Sequence, residues 1–357
     1  MQQLAQLGLP PQVAVPLLLR ALHVLVDTRW NSLFWCDRYG QITNLYAESP
    51  AAMALAPRYF QQFYNQRELE VFIGWPAVCR QVRRATRAEA LLRVPRRTLV
   101  RHPLYRELLR HLQVQRALYL VVREGERPLG ILALHRARGD PPFAADELRR
   151  VDRLAGVFRR ALSAVGPSAA LRWLDPGAEG EGLILADADG TIHWLSANAR
   201  RMLAMASCER LCPGMRCLQH LAQLSPPLRR LARAVADRGN DRADAAAPSW
   251  WHDNAWGRFR FHAQALDANG GSWSPLVGIS VRHQRPLQVG LMRQIEQLQL
   301  PPRQAQVCLL MACGQSYGGI AQRLGLAEST VISHARAIYR DVDAHNRGEL
   351  IGRLLAL

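Results

Sequence analysis

The sequence predicts an α+β protein: two domains that each pair an antiparallel sheet with flanking helices, followed by an all-α domain of four helices. Residues 32–46 and 182–196 each place β-branched and aromatic residues on either side of an Asp-x-x-Gly sequence. That pattern is typical of a strand, a tight turn and a second strand. Residues 300–350 instead repeat apolar residues three or four apart and are interrupted by glycines, which indicates short helices.

The composition fits a folded protein with a polyanionic partner. The chain has 357 residues, of which 49% are hydrophobic, and a net charge of +17. This length suggests two or three domains, and the charge favours nucleic acid first and an anionic membrane surface second. Every basic side chain is Arg, because the chain has no Lys; such a bias can arise from genome composition, so the charge is supporting evidence only. No apolar run reaches the ~18 residues of a membrane helix, and we expect a cytoplasmic protein.

The first domain is predicted to span residues 1–163. Its elements are a helix over 13–25, the hairpin over 32–46, mainly helical chain over 50–113, strands over 116–122 and 128–135, and a closing helix through Phe158. Breaks in the helical stretch are expected at Pro57, at residues 74–76 and at Pro95, because proline and glycine interrupt helices.

The end of this domain has a recognisable order of elements. A strand at residues 129–134 is followed by Pro142-Phe143, the acidic pair Asp146-Glu147 and a long helix, which resembles the end of a GAF domain. The resemblance implies a sheet that binds a small molecule, or that couples and dimerises domains. Five aromatic residues are candidates to line a pocket, although a place in the core is favoured for each: Trp35, Tyr46, Phe60, Phe63 and Trp75.

A second domain is predicted at residues 183–286, after a Gly-, Pro- and Ala-rich linker at residues 164–182. Its hairpin, a helix beginning near Asn198, and strands near 257–265 and 274–281 resemble a PAS domain. The two hairpins also resemble each other, which indicates either a repeat or the same turn chemistry used twice. Asp187 and Asp189 are interpreted as turn residues and not as an acid/base pair.

The seven cysteines are expected to be thiols, because an odd number at irregular spacing does not fit a disulfide framework. Cys208, Cys212 and Cys217, with His220, are weak candidates for a metal or redox site. Semi-buried thiols in a loop are the favoured interpretation.

The tryptophans near residue 250 are expected to cover one face of a sheet. Those residues are Trp250, Trp251 and Trp256. His252, Asp253 and His262 lie close to them in sequence without a recognisable third catalytic partner. No nucleotide loop, nucleophile elbow or zinc helix is present in the sequence, so an enzyme is the least favoured class and no cofactor is indicated.

The last 58 or so residues carry the strongest pattern. Helices are expected from Pro302 to Gly314 and again before Gly325, which suits a tight turn because glycine adopts positive φ readily. A third helix begins at about Glu328. Two faces of that helix can be separated by spacing: Val331, Ala335, Ile338 and Val342 face inward, whereas Ser329, Ser333, Arg336 and Arg340 face outward. A polar, cationic helix face after a turn is what major-groove reading requires; an ordinary solvated face is the alternative.

The residues themselves resemble the LuxR-type DNA-binding domain. The matching positions are Leu300, Pro302, Arg303, Val307, Gly314, Ile320-Ala321, Leu324-Gly325, Ser329-Thr330-Val331, His334, Ile338-Tyr339, Arg347 and Glu349-Leu350. The resemblance implies that the third helix enters the major groove and that the fourth helix contributes to a dimer. It further implies that Thr330 approaches the phosphates and that Ile332, Ser333 and Arg336 face base edges. Arg340 would hold the DNA backbone further along, and Ser329 and His334 complete the predicted DNA-binding set.

Four positions depart from the family pattern. Gln304 replaces an acid, Ala327 replaces the Ser that caps the third helix, and Ile332 and Asp341 each replace a Lys. A missing cap costs ~1 kcal/mol, and two cations are lost from the DNA face. Sequence preference therefore cannot be transferred from relatives.

The sequence therefore predicts a DNA-binding transcriptional regulator, with the helix-turn-helix domain at residues 287–357 following the two sensor-like domains. Expected partners are double-stranded DNA and a second copy of the chain; RNA polymerase and a small-molecule ligand are further candidates, and a membrane is not. Two alternatives stay open: a metal- or thiol-responsive regulator, and a binding or assembly module without specific DNA readout.

Overall fold

The computed structural model describes residues 1–164, 173–174, 181–208, 222–237, 248–266 and 276–356. The chain forms two compact units. One comprises Met1, Gly8–Ser168 and Pro176–His283, and the other comprises Gln2–Leu7, Ala169–Asp175 and Gln284–Leu357. No helix within the described ranges is both long enough and apolar enough to cross a membrane.

The N-terminal part contains a five-stranded antiparallel sheet covered by helices. Helix α1 (Gln2–Gln6) belongs to the other unit. The helices after it are α2 (Pro11–Leu22), α3 (Pro50–Gln62), α4 (Trp75–Gln81), α5 (Arg96–Arg101), α6 (Ala145–Arg153) and α7 (Ala155–Leu162). The strands of the sheet are β1 (Trp30–Cys36), β2 (Ile42–Ala47), β3 (Thr86–Arg87), β4 (Arg116–Glu124) and β5 (Arg127–Arg136). The strand order is β2-β1-β5-β4-β3.

Two details of this part differ from the sequence prediction. The break expected at Pro57 is wrong, because α3 runs through it. Pro57 is buried on the same side as Met53 and Phe60, and this packing holds the helix together despite the missing amide hydrogen. The stretch predicted as mainly helical also contains β3, a strand of two residues that is too short to leave an alternating pattern.

A second five-stranded antiparallel sheet follows. Its strands are β7 (Glu181–Asp187), β8 (Ile192–Leu195), β9 (Ser249–Asn254), β10 (Gly257–Leu266) and β11 (Leu276–His283). Its helices are α8 (Ala197–Ser207) and α9 (Pro226–Ala236). The short strands β6 (Trp173–Leu174) and β12 (Arg285–Pro286) belong to the other unit. The sheet order is β8-β7-β11-β10-β9, while β6 pairs with β12 separately. In chain order this is the strand order of the first sheet, so the same topology occurs twice.

The opening hairpins of the two sheets share their hydrogen bonds as well. In the first, the Asp37 carboxylate accepts the Gln41 amide at 2.9 Å and Gly40 has φ +81°. In the second, the Asp187 carboxylate accepts the Thr191 amide at 2.8 Å and Gly190 has φ +90°. Asp187 is therefore a turn residue, as predicted.

The helix after each hairpin is also capped in the same way. Ser49 Oγ accepts the Ala52 amide of α3 at 3.3 Å, and Ser196 Oγ accepts the Ala199 amide of α8 at 3.2 Å. A serine cap satisfies one of the amide groups that a helix leaves without a partner. The strand order, the turn and the helix cap are all repeated in the two sheets. The sequence indicated only that the two hairpins resemble each other.

The two sheets belong to one unit and contact each other. Helices α3 and α8 pack together, and the fully buried Trp256 lies edge-on to Trp35 at 5.9 Å between ring centres. The Trp256 indole donates to the Cys208 carbonyl oxygen at 2.9 Å. This region therefore contains buried aromatic packing shared by both sheets.

The third part is helical. It comprises α10 (Leu287–Gln297), α11 (Pro302–Ala312), α12 (Tyr317–Leu324), α13 (Glu328–Asp341) and α14 (Arg347–Ala356). The predicted fold class, two antiparallel sheets with flanking helices followed by a helical domain, is confirmed.

Gly182 marks a close approach that allows one prediction. A Cβ atom at Gly182 in β7 would lie 2.5 Å from the Ala199 backbone of α8, so Gly182→Ala should overpack this contact. We expect it to lower the free energy of unfolding by about 1–3 kcal/mol. Gly156→Ala in α7 is the matched control, because nothing lies within 4 Å of its added methyl group. It should be neutral or stabilising by up to about 1 kcal/mol. Urea denaturation followed by circular dichroism compares the two, and equal stabilities would contradict the close packing.

Candidate nucleic-acid interface

Helices α11 to α14 form the four-helix arrangement predicted from the sequence, with α12 and α13 as the helix-turn-helix. Helix α10 adds to this unit and packs against α11 and α14. Apolar residues of all five helices share one core; they include Leu291, Val307, Leu310, Met311, Ile320, Val331, Ile338, Leu350 and Leu354. The core fixes the position of α13, whose outer face is the candidate interface.

The turn between α12 and α13 is set by Gly325. This residue has φ +66° and ψ +41°, in the left-handed region, and its amide donates to the Ala321 carbonyl oxygen. The next amide, of Leu326, donates to the same oxygen at 3.0 Å. These bonds close the end of α12 and redirect the chain into α13, as the sequence predicted.

The two faces of α13 are as predicted. Val331 and Ile338 are fully buried and Ala335 is nearly so. On the opposite side, the side chains of the predicted outward set are exposed: Ser329, Ser333, Arg336 and Arg340. Thr330 is also exposed, whereas Ile332 and His334 are partly buried. A polar face with two arginines is thus open along the helix.

The two arginines of that face differ in their surroundings. Arg336 makes no hydrogen bond or ion pair with any residue that the structure describes. Arg340 lies 3.3 Å from the Asp341 carboxylate, and its side chain is 79% exposed. An exposed pair of this kind is weak and screened by salt. Even so, Asp341, which replaces a family Lys, lies beside Arg340, the cation predicted to contact the DNA backbone.

The start of α13 lacks a side-chain cap, as the sequence indicated. Ala327 occupies the cap position with φ −73° and ψ 147° and has no group that could accept an amide hydrogen. Glu328 in the first turn supplies a negative charge near the positive end of the helix dipole. By contrast, Ser316 caps α12 by accepting the Gly319 amide at 3.2 Å.

Two family positions near α14 have structural explanations. Arg347 donates to the Gln315 carbonyl oxygen at 2.7 Å, which ties the start of α14 to the loop before α12. Glu349 accepts the His345 amide at 2.9 Å, while the Glu349 amide donates to Asn346 Oδ1 at 2.9 Å. Asn346 Nδ2 also donates to Glu349 Oε1 at 2.6 Å, so these bonds together cap the start of α14.

Arg323 was not singled out from the sequence, although it is an exposed cation near the end of α12. The first helix of a helix-turn-helix crosses the DNA backbone. The charge of Arg323 in the helix before the turn is the signal that could have identified it.

Only part of the predicted cysteine cluster can be placed. Cys208 is buried and disulfide-bonded, so the expectation of a thiol is wrong at this residue. Cys212, Cys217 and His220 lie outside the described residues. In the described part of the chain, no group of three His, Cys, Asp or Glu residues could hold a metal ion.

The candidate pocket residues have separate surroundings. Trp75 lines an apolar cavity of the first sheet, and Tyr46 lines a second cleft. Phe60 and Phe63 are buried core residues, and Trp35 packs on Trp256. The favoured core interpretation therefore applies to Tyr46, Phe60, Phe63 and Trp75, all of which are buried. Tyr46 and Trp75 also line a cavity.

The tryptophans near residue 250 do not cover a single face of the sheet, which corrects the prediction. Trp250 stacks on Phe261, whereas Trp251 is exposed beneath the Arg260 guanidinium. The two are adjacent in β9 and therefore point to opposite faces. Trp256 is buried beyond the end of that strand.

The neighbouring polar residues have local partners. Asp253 pairs with Arg258 at 2.8 Å, and His262 Nδ1 lies 3.0 Å from Ser249 Oγ. His252 stacks on Trp250 at 5.2 Å. These contacts give structural roles to the three polar residues noted in the sequence.

Comparison with known proteins identifies the C-terminal domain. Residues 298–354 match the family described as bacterial regulatory proteins, luxR family. The chain therefore carries a LuxR-type helix-turn-helix domain, which confirms the resemblance found in the sequence. None of the curated protein sequences matches the chain.

Several solved structures show distant similarity. A phage VqmA–DPO complex is 17% identical, covering 50% of this chain and 84% of the other, with a TM-score of 0.20. VqmA of Vibrio cholerae in a complex with ligand and DNA is 13% identical, covering 49% and 82%, with a TM-score of 0.22. The E. coli DhaR(N)–DhaL complex is 12% identical, covering 78% and 87%, with a TM-score of 0.21. At these scores the similarities carry no argument about this chain.

The unequal caps of the helix-turn-helix allow a second prediction. Ala327→Ser supplies the missing hydroxyl at the start of α13 and should raise the free energy of unfolding by about 1 kcal/mol. Ser316→Ala removes the existing cap of α12 and should lower it by about as much. Thermal and urea denaturation of both variants measure the two changes. A destabilised Ala327→Ser protein would show that the start of α13 has a different backbone conformation.

Proposed function

We propose that this protein is a sequence-specific DNA-binding transcriptional regulator whose helix α13 reads the major groove. One observation carries the proposal: the polar face of α13 is open, while its apolar face is used completely by the core of a LuxR-type domain. A helix held in this way can enter the groove without losing any contact that stabilises the domain.

The exposed residues suggest a division of roles. Arg336 has no partner among the described residues and can donate two hydrogen bonds to guanine O6 and N7. Ser333 and Ile332 lie one turn before it, where they can meet neighbouring base edges. Thr330 at the start of the helix and Arg340 near its end are positioned to contact phosphates.

The functional form is proposed to be a dimer. A regulator with one recognition helix per chain reads two half-sites about one helical turn apart when two copies bind together. Helix α14 would supply the contact between copies, since Leu355 on that helix is 47% exposed. RNA polymerase is the proposed downstream partner in the cell.

The two sheet domains are proposed to regulate DNA binding. Their repeated topology and their position before the helix-turn-helix support a sensing role. Removing residues 1–285 should then abolish the response of target promoters to growth conditions. A truncated protein whose promoters still respond as in the wild type would contradict this coupling.

The test of DNA reading compares two arginine variants of the full-length protein. Each protein is bound to a randomised duplex pool at two salt concentrations, and the retained DNA is sequenced. Wild type should enrich a two-fold symmetric motif, and Arg336→Ala should relax it by about 1–3 kcal/mol at one base position per half-site. Arg293→Ala is the matched control: it removes an equal charge from an exposed position on α10, which packs on α11 and α14.

The possible outcomes distinguish sequence-specific DNA binding from binding to phosphates alone. A motif kept by Arg293→Ala and weakened by Arg336→Ala supports specific reading by α13. Retention without any motif, falling steeply with salt, would mean that arginines bind phosphates only. The domain would then be an assembly element and the proposed function would be wrong.

A further inference from the structure

One face of the first sheet lines a partly open cavity that DNA binding does not use. It lies between one face of the sheet and the layer formed by α3, α4 and α5, and its volume is about 180 Å³. Protein interiors rarely leave voids larger than a water molecule. A space of this size inside a domain therefore calls for an explanation.

The space exists because small side chains meet across it. Ser32, Ala47 and Ala117 form its floor on the strands, and Ala52 and Ala56 face it from α3. Ser32 and Ala47 are direct neighbours in the sheet, so two short side chains lie side by side.

Large aromatic side chains surround this small-residue floor. Trp30, Phe34, Trp75 and Tyr119 line the cavity. Phe34 lies 5.1 Å from Trp75, and Trp75 lies 5.4 Å from Tyr119 in an edge-to-face arrangement. The aromatic wall gives the cavity a shape suited to flat rings.

His135 is the polar group whose hydrogen bonding is incomplete. It is 7% exposed, lines the cavity, and stacks on Trp30 at 3.7 Å between ring centres. Its Nε2 lies 3.2 Å from Ser32 Oγ, whereas its buried Nδ1 has no partner in the described structure. Burial lowers the pKa of His135 to about 3, so the ring is neutral and can either donate or accept one further hydrogen bond. A buried polar atom without a partner is costly. Nδ1 is closed off from open space, so a ligand would satisfy it once the ring turns toward the cavity.

The charged side chains at the cavity already have partners. Arg96 donates to the Gln115 carbonyl oxygen and Arg116 to the Asp140 carbonyl oxygen, each at 2.6 Å. Arg96 also lies 3.3 Å from the Glu89 carboxylate, which balances its charge. Both guanidinium groups are thus held by the protein itself, which favours a ligand without charge.

The more deeply buried of the two carboxylates that line the cavity is also satisfied. Glu68 accepts the Tyr59 hydroxyl at 2.6 Å and the Asn65 amide at 2.9 Å, and Tyr59 in turn accepts the Trp75 indole hydrogen. Burial raises the pKa of Glu68 to about 7. With both oxygens occupied, Glu68 does not call for a cationic ligand.

We propose that this cavity binds a neutral, mainly apolar organic molecule of one or two fused rings, with one hydrogen-bonding group that pairs with His135. The size agrees with a dry cavity on the order of 150 Å³, which is enough for benzene. This inference adds a ligand class to the proposed regulator, but binding at the cavity does not depend on DNA binding.

The experiment is calorimetric titration of the full-length protein, without DNA, with three probes that share a fused two-ring skeleton. Indole carries one N–H group, indene is its hydrocarbon analogue, and indole-2-carboxylate adds a negative charge. We expect one indole per chain, weaker binding of indene, and no binding of the anion. His135→Phe keeps an aromatic ring beside Trp30 and should weaken indole by roughly fivefold, the equivalent of one hydrogen bond, while indene binding stays the same.

A pair of α3 variants locates the site. Ala56→Leu adds three carbons to a buried residue that lines the cavity, and it should abolish indole binding. Ala54→Leu adds the same atoms at an exposed position of the same helix and should leave binding unchanged. Circular dichroism shows whether Ala56→Leu remains folded; if it does not, His135→Phe still tests the site.

Three results would overturn the proposal. They are the absence of saturable indole binding, unchanged indole affinity in folded Ala56→Leu, and binding of the carboxylate as tightly as indole. Each can occur while the full-length protein still enriches a DNA motif, so failure of this inference is distinguishable from failure of the proposed function.

Discussion

The rotation of helix α13 about its own axis is the constraint on which the candidate interface depends. Val331, Ala335 and Ile338 recur four and three residues apart, and all three are buried. Burying a Val or Ile side chain stabilises a protein by roughly 1.5–3 kcal/mol, so any rotation that exposed them would be expensive. The opposite face is thereby presented outward at no cost in packing. Under the proposed function, folding and DNA reading would use different sides of the same helix.

The two sheets have the same topology but differ in how closely the helix after the hairpin packs on the sheet. Ser32 and Gly182 each lie five residues before the turn aspartate of their hairpin, and Ala52 and Ala199 each lie three residues after the cap serine. In the second sheet, Ala199 lies almost directly on Gly182 and closes the space. In the first, Ser32 and Ala52 both line the cavity. A difference in how closely one helix approaches its sheet thus separates a filled domain from one with room for a ligand.

Local patterns were predictable, and features that depend on distant contacts were not. The hairpins, the turn at Gly325 and both faces of α13 follow from spacing and from the backbone freedom of glycine, which are properties of a few neighbouring residues. The continuity of α3 through Pro57 depends on tertiary packing, which outweighs the local helix-breaking tendency. Strand β3 exists only because β4 offers Leu118 and Tyr119 as partners. The LuxR-type domain was recognisable from the sequence because the residues of its motif lie close in the chain to the residues that they contact.

The cavity could not be predicted from the sequence for the same reason. Its floor combines residues from β1, β2 and β4 that are far apart in the sequence, and alanine in a strand or helix carries no signal of a void. Trp75 was noted as an aromatic residue, but its place in a wall with Tyr119 requires the fold. His135 reads in sequence as an ordinary strand residue, and only the burial of its unpaired nitrogen makes it a candidate.

The high positive charge gives less information about DNA binding than its size suggests. Several arginines of the first domain donate to backbone carbonyl oxygens: Arg87, Arg96, Arg116, Arg123 and Arg136. Arg136 is 3% exposed, pairs with Glu147 and lies over the Phe143 ring. The chain has no lysine, and arginine donates these internal hydrogen bonds because its planar group can reach several acceptors at once. The net charge therefore counts many cations that are committed to the fold. The candidate interface is therefore better identified by the position of an arginine that has no partner among the described residues, and Arg336 on the open face of α13 is such a residue.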